Sequence, residues 1–155
     1  MRAFLAAISL LLCCGCQQRQ AKMSEEDIKR IVAGLPGITD ACIDKLRYGG
    51  IQAMPNETDQ CFEMMPQRRW TGLWRNAFEE SIFCADEPER VAAECPPGPG
   101  GTWLDPEGGT MPDQALYRLE FIGRRTAQPA HFGHMGMNDH EIVVDRMISK
   151  RLVSK

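Results

Sequence analysis

Apolar residues recur at helical spacing in the first third of the chain and at alternate positions in much of the rest. After Ser24-Glu25-Glu26-Asp27, the residues Ile28, Ile31, Val32 and Leu35 fall on one helical face. Ser24 stands at the N-cap and Asp27 at the capping-box position, and Gly34 with Pro36-Gly37 ends the element. A second helix is predicted from Asp40 to about Tyr48, with Ile43 and Leu46 inward and Gly49-Gly50 as its stop. Residues 51–67 hold two prolines and an Asn-Glu-Thr-Asp cluster and read as loop.

Beyond residue 67 the period changes. Trp70, Gly72, Trp74, Asn76 and Phe78 alternate with Thr71, Leu73, Arg75 and Ala77, which predicts a strand. Trp70, Trp74 and Phe78 also fit i, i+4, i+8 of a helix, and the glycine and the aromatics decide for β. Residues 85–101 carry Pro88, Pro96, Pro97 and Pro99 and are expected to be irregular. Tyr117–Ile122 alternates as a strand. Glu141–Ile148 is the strongest β run and is expected at the centre of a sheet. The expected fold is α+β: two short N-terminal helices, then a small antiparallel sheet or partly open barrel.

The N-terminus has a different character. Met1-Arg2 precedes ten nearly all-apolar residues, Ala3 to Leu12, and then Cys13-Cys14-Gly15-Cys16. Ten helical residues reach about 15 Å, half of a bilayer core, so the run suits an export signal rather than a span. Gly15-Cys16 resembles the end of a bacterial lipoprotein signal, in which a small residue precedes the cysteine that is lipidated and becomes the first residue of the mature chain. Cys13 stands where that signal usually has leucine. The resemblance implies residues 1–15 as signal peptide, 16–23 as a lipidated tether with acyl chains (palmitate) on Cys16, and 24–155 as one small domain. Gln17, rather than aspartate, follows the cysteine, which in such proteins implies the outer membrane, facing the periplasm.

The cysteines agree with export. Of seven, Cys42, Cys61, Cys84 and Cys95 lie outside the signal region, an even number suited to an oxidising compartment. Three pairings are open. Nearest-neighbour bridges, Cys42–Cys61 and Cys84–Cys95, are preferred because each brackets a turn-rich stretch. No C-x-x-C marks a zinc site. With 155 residues, 43% hydrophobic and 25% charged, and a net charge of −3, the chain is one ordinary domain with no strongly basic balance.

Candidate chemistry sits in four places. His131, His134 and His140, with Met135 and Met137 between them, gather all the histidines into ten residues. Imidazole and thioether suit copper, or zinc through the histidines alone, and the plainer alternative is a strand–strand loop. Leu35-Pro36-Gly37-Ile38-Thr39 between two helices resembles the helix-hairpin-helix motif over residues 35–46, which implies contact with a DNA backbone. The sequence departs from that motif at Thr39 and Ile43, and its local charge is mixed. A Pro-Gly turn between helices accounts for the same residues, and no nucleic acid partner is expected. Arg68-Arg69-Trp70 to Trp74-Arg75 is either a partner patch, if a tryptophan is exposed, or core. No nucleophile elbow or phosphate loop occurs, and no enzyme activity or cofactor is expected. The expected protein is a cell-envelope lipoprotein, membrane-held by its lipid, acting as a non-catalytic binding or structural module for another envelope protein.

Overall fold

The computed structural model describes residues 22–106 and 114–155. The expected signal peptide, the expected lipidation site Cys16 and most of the expected tether lie outside these residues. Two helices come first, α1 (Glu25–Ala33) and α2 (Asp40–Gly49). Ser24 caps α1 by accepting from the Asp27 N–H at 3.1 Å while donating to the Asp27 carboxylate at 2.6 Å. The segment that follows is loop with two short 3-10 turns, Ile51–Ala53 and Thr58–Gln60.

Five strands follow: β1 (Arg68–Ala77), β2 (Glu80–Ala85), β3 (Thr102–Asp105), β4 (Ala115–Arg125) and β5 (His140–Ser154). They close into a barrel in the order β1-β2-β3-β5-β4. The expected purely antiparallel sheet is corrected here: β3 and β5 run parallel, Thr102 beside His140 and Leu104 beside Ile142. The order places β5, not β4, next to β3, and strands pairing across such a crossover align in parallel. This connectivity is that of the five-stranded Greek-key barrel called the oligonucleotide/oligosaccharide-binding fold, a scaffold whose ligand cannot be inferred from the fold alone.

Alternation builds the interior. Trp70, Trp74, Phe83, Leu104, Leu119, Phe121 and Ile142 form one buried cluster, with Tyr117, Val144 and Met147 packed against it. Phe83 meets Trp70 and Phe121 edge-on, with centroids 6.3 and 5.1 Å apart. Gly72 lets β1 and β2 approach this core: a Cβ there would lie 2.3 Å from the Cys84 carbonyl oxygen and 2.7 Å from the Phe83 ring.

β1 is also buried on its outer face. Leu73, Ile82 and Cys95 form a second cluster with Cys84, Ala92 and Leu116. The connection after β2 folds back over β1 and β2, held by the Cys84–Cys95 disulfide. Arg75 Nε donates to the Cys95 carbonyl at 2.8 Å, and Arg118 reaches Asp86 at 2.5 Å and the Ala92 carbonyl at 3.2 Å. Burial opposes ionisation of Asp86, but the Ala92 N–H, Thr71 and Arg118 outweigh it and hold the carboxyl below its usual range.

The helices attach through the segment after α2. Cys61 bonds Cys42 and its carbonyl accepts from the Thr39 N–H at 2.8 Å. Phe62 pairs with Ile38 and stacks edge-on against Phe132 at 5.0 Å, and Glu63 bridges the Gly37 carbonyl and the Ala127 N–H. Both bridges are the nearest-neighbour pairs expected above. β5 is less central than its composition predicts. It pairs with strands on both edges only over Ile142–Val143, Ile142 is its one fully buried residue, and Asp145 onward is largely exposed.

Removing the clamp with a Cys84→Ser/Cys95→Ser double variant is expected to lower stability by roughly 3 kcal/mol through loop entropy, plus the exposure of Leu73 and Ile82. Urea unfolding of the variant checks this, and an unchanged midpoint would show that the clamp carries no stability.

Candidate functional site

The histidine-rich stretch is the β4–β5 connection, residues 126–139, with His140 opening β5. It is irregular but tightly bonded. Ala130 and Phe132 pair with Asp139 and Asn138, and Met137 and Asp139 bond to Gly100 and Gly101 at the end of the β2–β3 connection. The three imidazoles are held by three different partners. His131 Nδ1 lies 3.2 Å from the Gly136 carbonyl, His134 Nε2 lies 3.4 Å from the Glu79 carboxylate, and His140 Nδ1 lies 3.1 Å from Thr126 Oγ1. Among the described residues no three of His, Cys, Asp or Glu are grouped to hold a metal ion. His131, His134 and His140, close in sequence, are thus each held by a separate neighbour. The loop spreads the histidines around a turn that Gly133 and Gly136 make at positive φ.

Loop geometry instead brings two connections together. The β1–β2 tip, Phe78-Glu79, meets the β4–β5 loop through the Glu79–His134 contact. Around that contact three large apolar side chains stand in solvent: Phe78 is 69% exposed, Met135 85% and Met137 43%. Glu79 at φ 61° and Met135 at φ 50° are two of the three non-glycine residues with positive φ among the described residues. Such conformations cost of order 1–3 kcal/mol and persist where the surroundings enforce them. A cavity of about 260 Å³ lies beside the contact, lined by Glu79, Glu80, Ile82, Gly98, Pro99, Met137 and Asn138. Sequence reasoning found the histidine loop but missed Glu79 and Phe78 as its neighbours. The only local signal is an exposed aromatic beside a Glu-Glu turn.

The remaining candidates resolve plainly. Trp70 and Trp74 are both buried in the barrel, Trp70 donating to the Gly123 carbonyl at 3.1 Å and Trp74 to Ser81 Oγ at 2.9 Å. The expectation that a binding protein would expose one of them is overturned, since β1 turns its even-numbered residues inward. In the Leu35–Leu46 segment, the Ile38 and Thr39 amides donate to Leu35 and Cys61, and the Gly37 carbonyl accepts from Glu63. The Thr39 amide and the Gly37 carbonyl thus tie the hairpin to the segment after α2, while the Ile38 amide closes the turn. Ser81 Oγ also donates to the Leu104 carbonyl, so it closes the barrel rather than serving as a poised nucleophile. No helix among the described residues is long and apolar enough to cross a membrane.

Scans of protein-family models, of curated proteins and of solved structures each returned no match.

His140 is partly buried beside Arg125. Burial first, and the Arg125 charge second, push its pKa below the ordinary histidine value, against weaker opposition from Thr126 and Asp139. The unfolded chain therefore takes up this proton first as pH falls. The stability tied to neutral His140 is complete above the ordinary pKa of about 6.5 and declines as pH drops from there toward the folded value. Melting temperature is expected to fall more steeply between about pH 7.5 and about pH 5.5 in the native chain than in His140→Gln. Parallel profiles would remove His140 from the pH response.

Proposed function

We propose that the chain is a cell-envelope lipoprotein, anchored by lipid on Cys16 in the outer membrane facing the periplasm. Its mature domain acts as a non-catalytic binding or structural module for another envelope component. The observation that carries this is the pairing of a Gly15-Cys16 signal with a small barrel whose four remaining cysteines form two disulfides. Disulfides persist in an oxidising compartment, and lipidation holds a protein of this kind at the bilayer by about 0.8 kcal/mol per buried methylene. The binding part of the proposal is supported by the joined loop tips. Phe78, Met135 and Met137 present apolar surface on a scaffold fixed by hydrogen bonds, the arrangement that favours an interface anchor.

The test is metabolic palmitate labelling with membrane fractionation of the native chain and of Cys16→Ser. The native chain is expected to carry label and to sediment with outer membranes, and Cys16→Ser to lose both. A native chain without label overturns the anchor. For the module, photo-crosslinking probes at Phe78 and Met135 are expected to trap one and the same envelope component, and a probe at exposed Val91 to miss it. Anchored protein with no shared product at positions 78 and 135 rejects the loop tips as the contact surface.

A further inference from the structure

β4 carries three arginines with polar partners in the described structure, and one of them lacks a counter-charge. Arg118 holds Asp86. Arg124 holds both Asp59 and Asp145, at 2.9 and 2.6 Å, and these bonds raise its pKa further. Arg125 has instead the Met65 thioether, 3.4 Å from Nη2, and its Nε is buried with no hydrogen-bond partner. A buried guanidinium N–H without an acceptor costs about 1–3 kcal/mol, more when charged, and calls for an explanation.

A second arginine stands beside it. β1 pairs with β4 so that Arg68 lies opposite Gly123, and Arg125 follows two residues on, on the same face. Gly123 puts no side chain between them. Arg68 sits over the Trp70 ring, its Cζ 3.5 Å from the centroid, a cation–π contact that holds the guanidinium in place. Burial and then the Arg125 charge lower the Arg68 pKa, with no carboxylate acting against them. The same Arg125 charge acts on His140. The start of β1 and the end of β4 thus hold a pair of like charges at the edge of the core, where such a pair is unfavourable unless an anion joins it.

We infer that Arg68 and Arg125 bind a phosphoryl group. A carboxylate can accept from two guanidinium groups but brings one negative charge against two positive ones. A phosphoryl group brings up to two negative charges and three terminal oxygens, which matches the two positive charges and takes N–H groups from both arginines. The site is separate from the joined loop tips and does not depend on lipidation of Cys16. Inorganic phosphate and the phosphate of a lipid headgroup share this chemistry.

The test is thermal melting of the full protein in neutral detergent, with chloride, inorganic phosphate at matched ionic strength, or micelles doped with phosphatidic acid. One of the two phosphate sources is expected to raise the melting temperature by a few degrees over chloride, and Arg125→Gln to abolish the rise and weaken affinity at least tenfold. A rise with inorganic phosphate assigns a soluble ligand, and a rise with phosphatidic acid alone assigns a headgroup. Because Arg125→Gln alters a half-buried position, Arg68→Gln, at an exposed strand end, is measured beside it and is expected to lose the response too. No rise with either source, or an undiminished rise in both variants, overturns the site.

Discussion

β1 is hydrogen-bonded along both edges, to β2 over Gly72–Ala77 and to β4 over Arg68–Asn76, and it buries side chains on both faces. That is an unusual demand on a strand in so small a domain, where one face of a sheet is normally left to solvent. The inner face is satisfied by the barrel itself. Among the described residues no second sheet or helix covers the outer face, and the β2–β3 connection does so, with four prolines and no regular structure. Proline stiffens that segment but gives it little backbone bonding of its own. Its position is set by the Cys84–Cys95 bridge and by three side chains, Arg75, Asp86 and Arg118, that tie it to the strands. The disulfide, the partly buried ion pair and the second apolar cluster are thus one device.

The β4–β5 connection plays the same part at the barrel end. It accepts the helical hairpin through Phe132 against Phe62 and through Ala127 bonding Glu63. It pairs with the end of the β2–β3 connection through Met137 and Asp139, and it reaches the β1–β2 tip through His134. Gly133 is required where the loop crosses Trp103, because a Cβ would lie 2.3 Å from that ring. A loop held on three sides has fixed side-chain positions without regular structure. That is why its histidines find separate neighbours, and why two apolar methionines can stay exposed on it without the loop collapsing.

What could be read from the sequence follows from how local each signal is. α1 was legible because Ser24, Asp27 and the Ile28–Leu35 spacing are all within one helix. β4 and the start of β5 were legible because alternation needs no partner to be seen. β2 and β3 were not, since Glu80–Ala85 and Thr102–Asp105 are short and flanked by turn residues, and only their pairing makes them strands. The pairing of Cys42 with Cys61 and of Cys84 with Cys95 was one of three open to the sequence, preferred because each brackets a turn-rich stretch, and the closure of the barrel and the parallel β3–β5 contact are properties of register, which residue order does not display. Trp70 and Trp74 fitted either a core or a surface patch until the inward face of β1 was known. The Glu79–His134 contact and the Arg68–Arg125 pair join residues far apart in the chain, and no local pattern marks either.

Side chains with the potential for reaction chemistry are mostly committed to holding the fold. Ser81 links Trp74 to Leu104 across the barrel, Asp86 and Arg118 fix the cover of β1, and Asp59 and Asp145 clasp Arg124. Thr126 spans His140 and the Glu141 backbone, and Thr58 donates to Glu141. Chemistry left unspent lies at the margins: apolar side chains at the loop tips, and positive charge where β1 begins and β4 ends. These are the features on which the two proposals rest, one for apolar surface and one for an oxyanion. A body cross-linked by two disulfides loses little conformational entropy when such features are engaged, which favours binding over the same groups on a mobile chain.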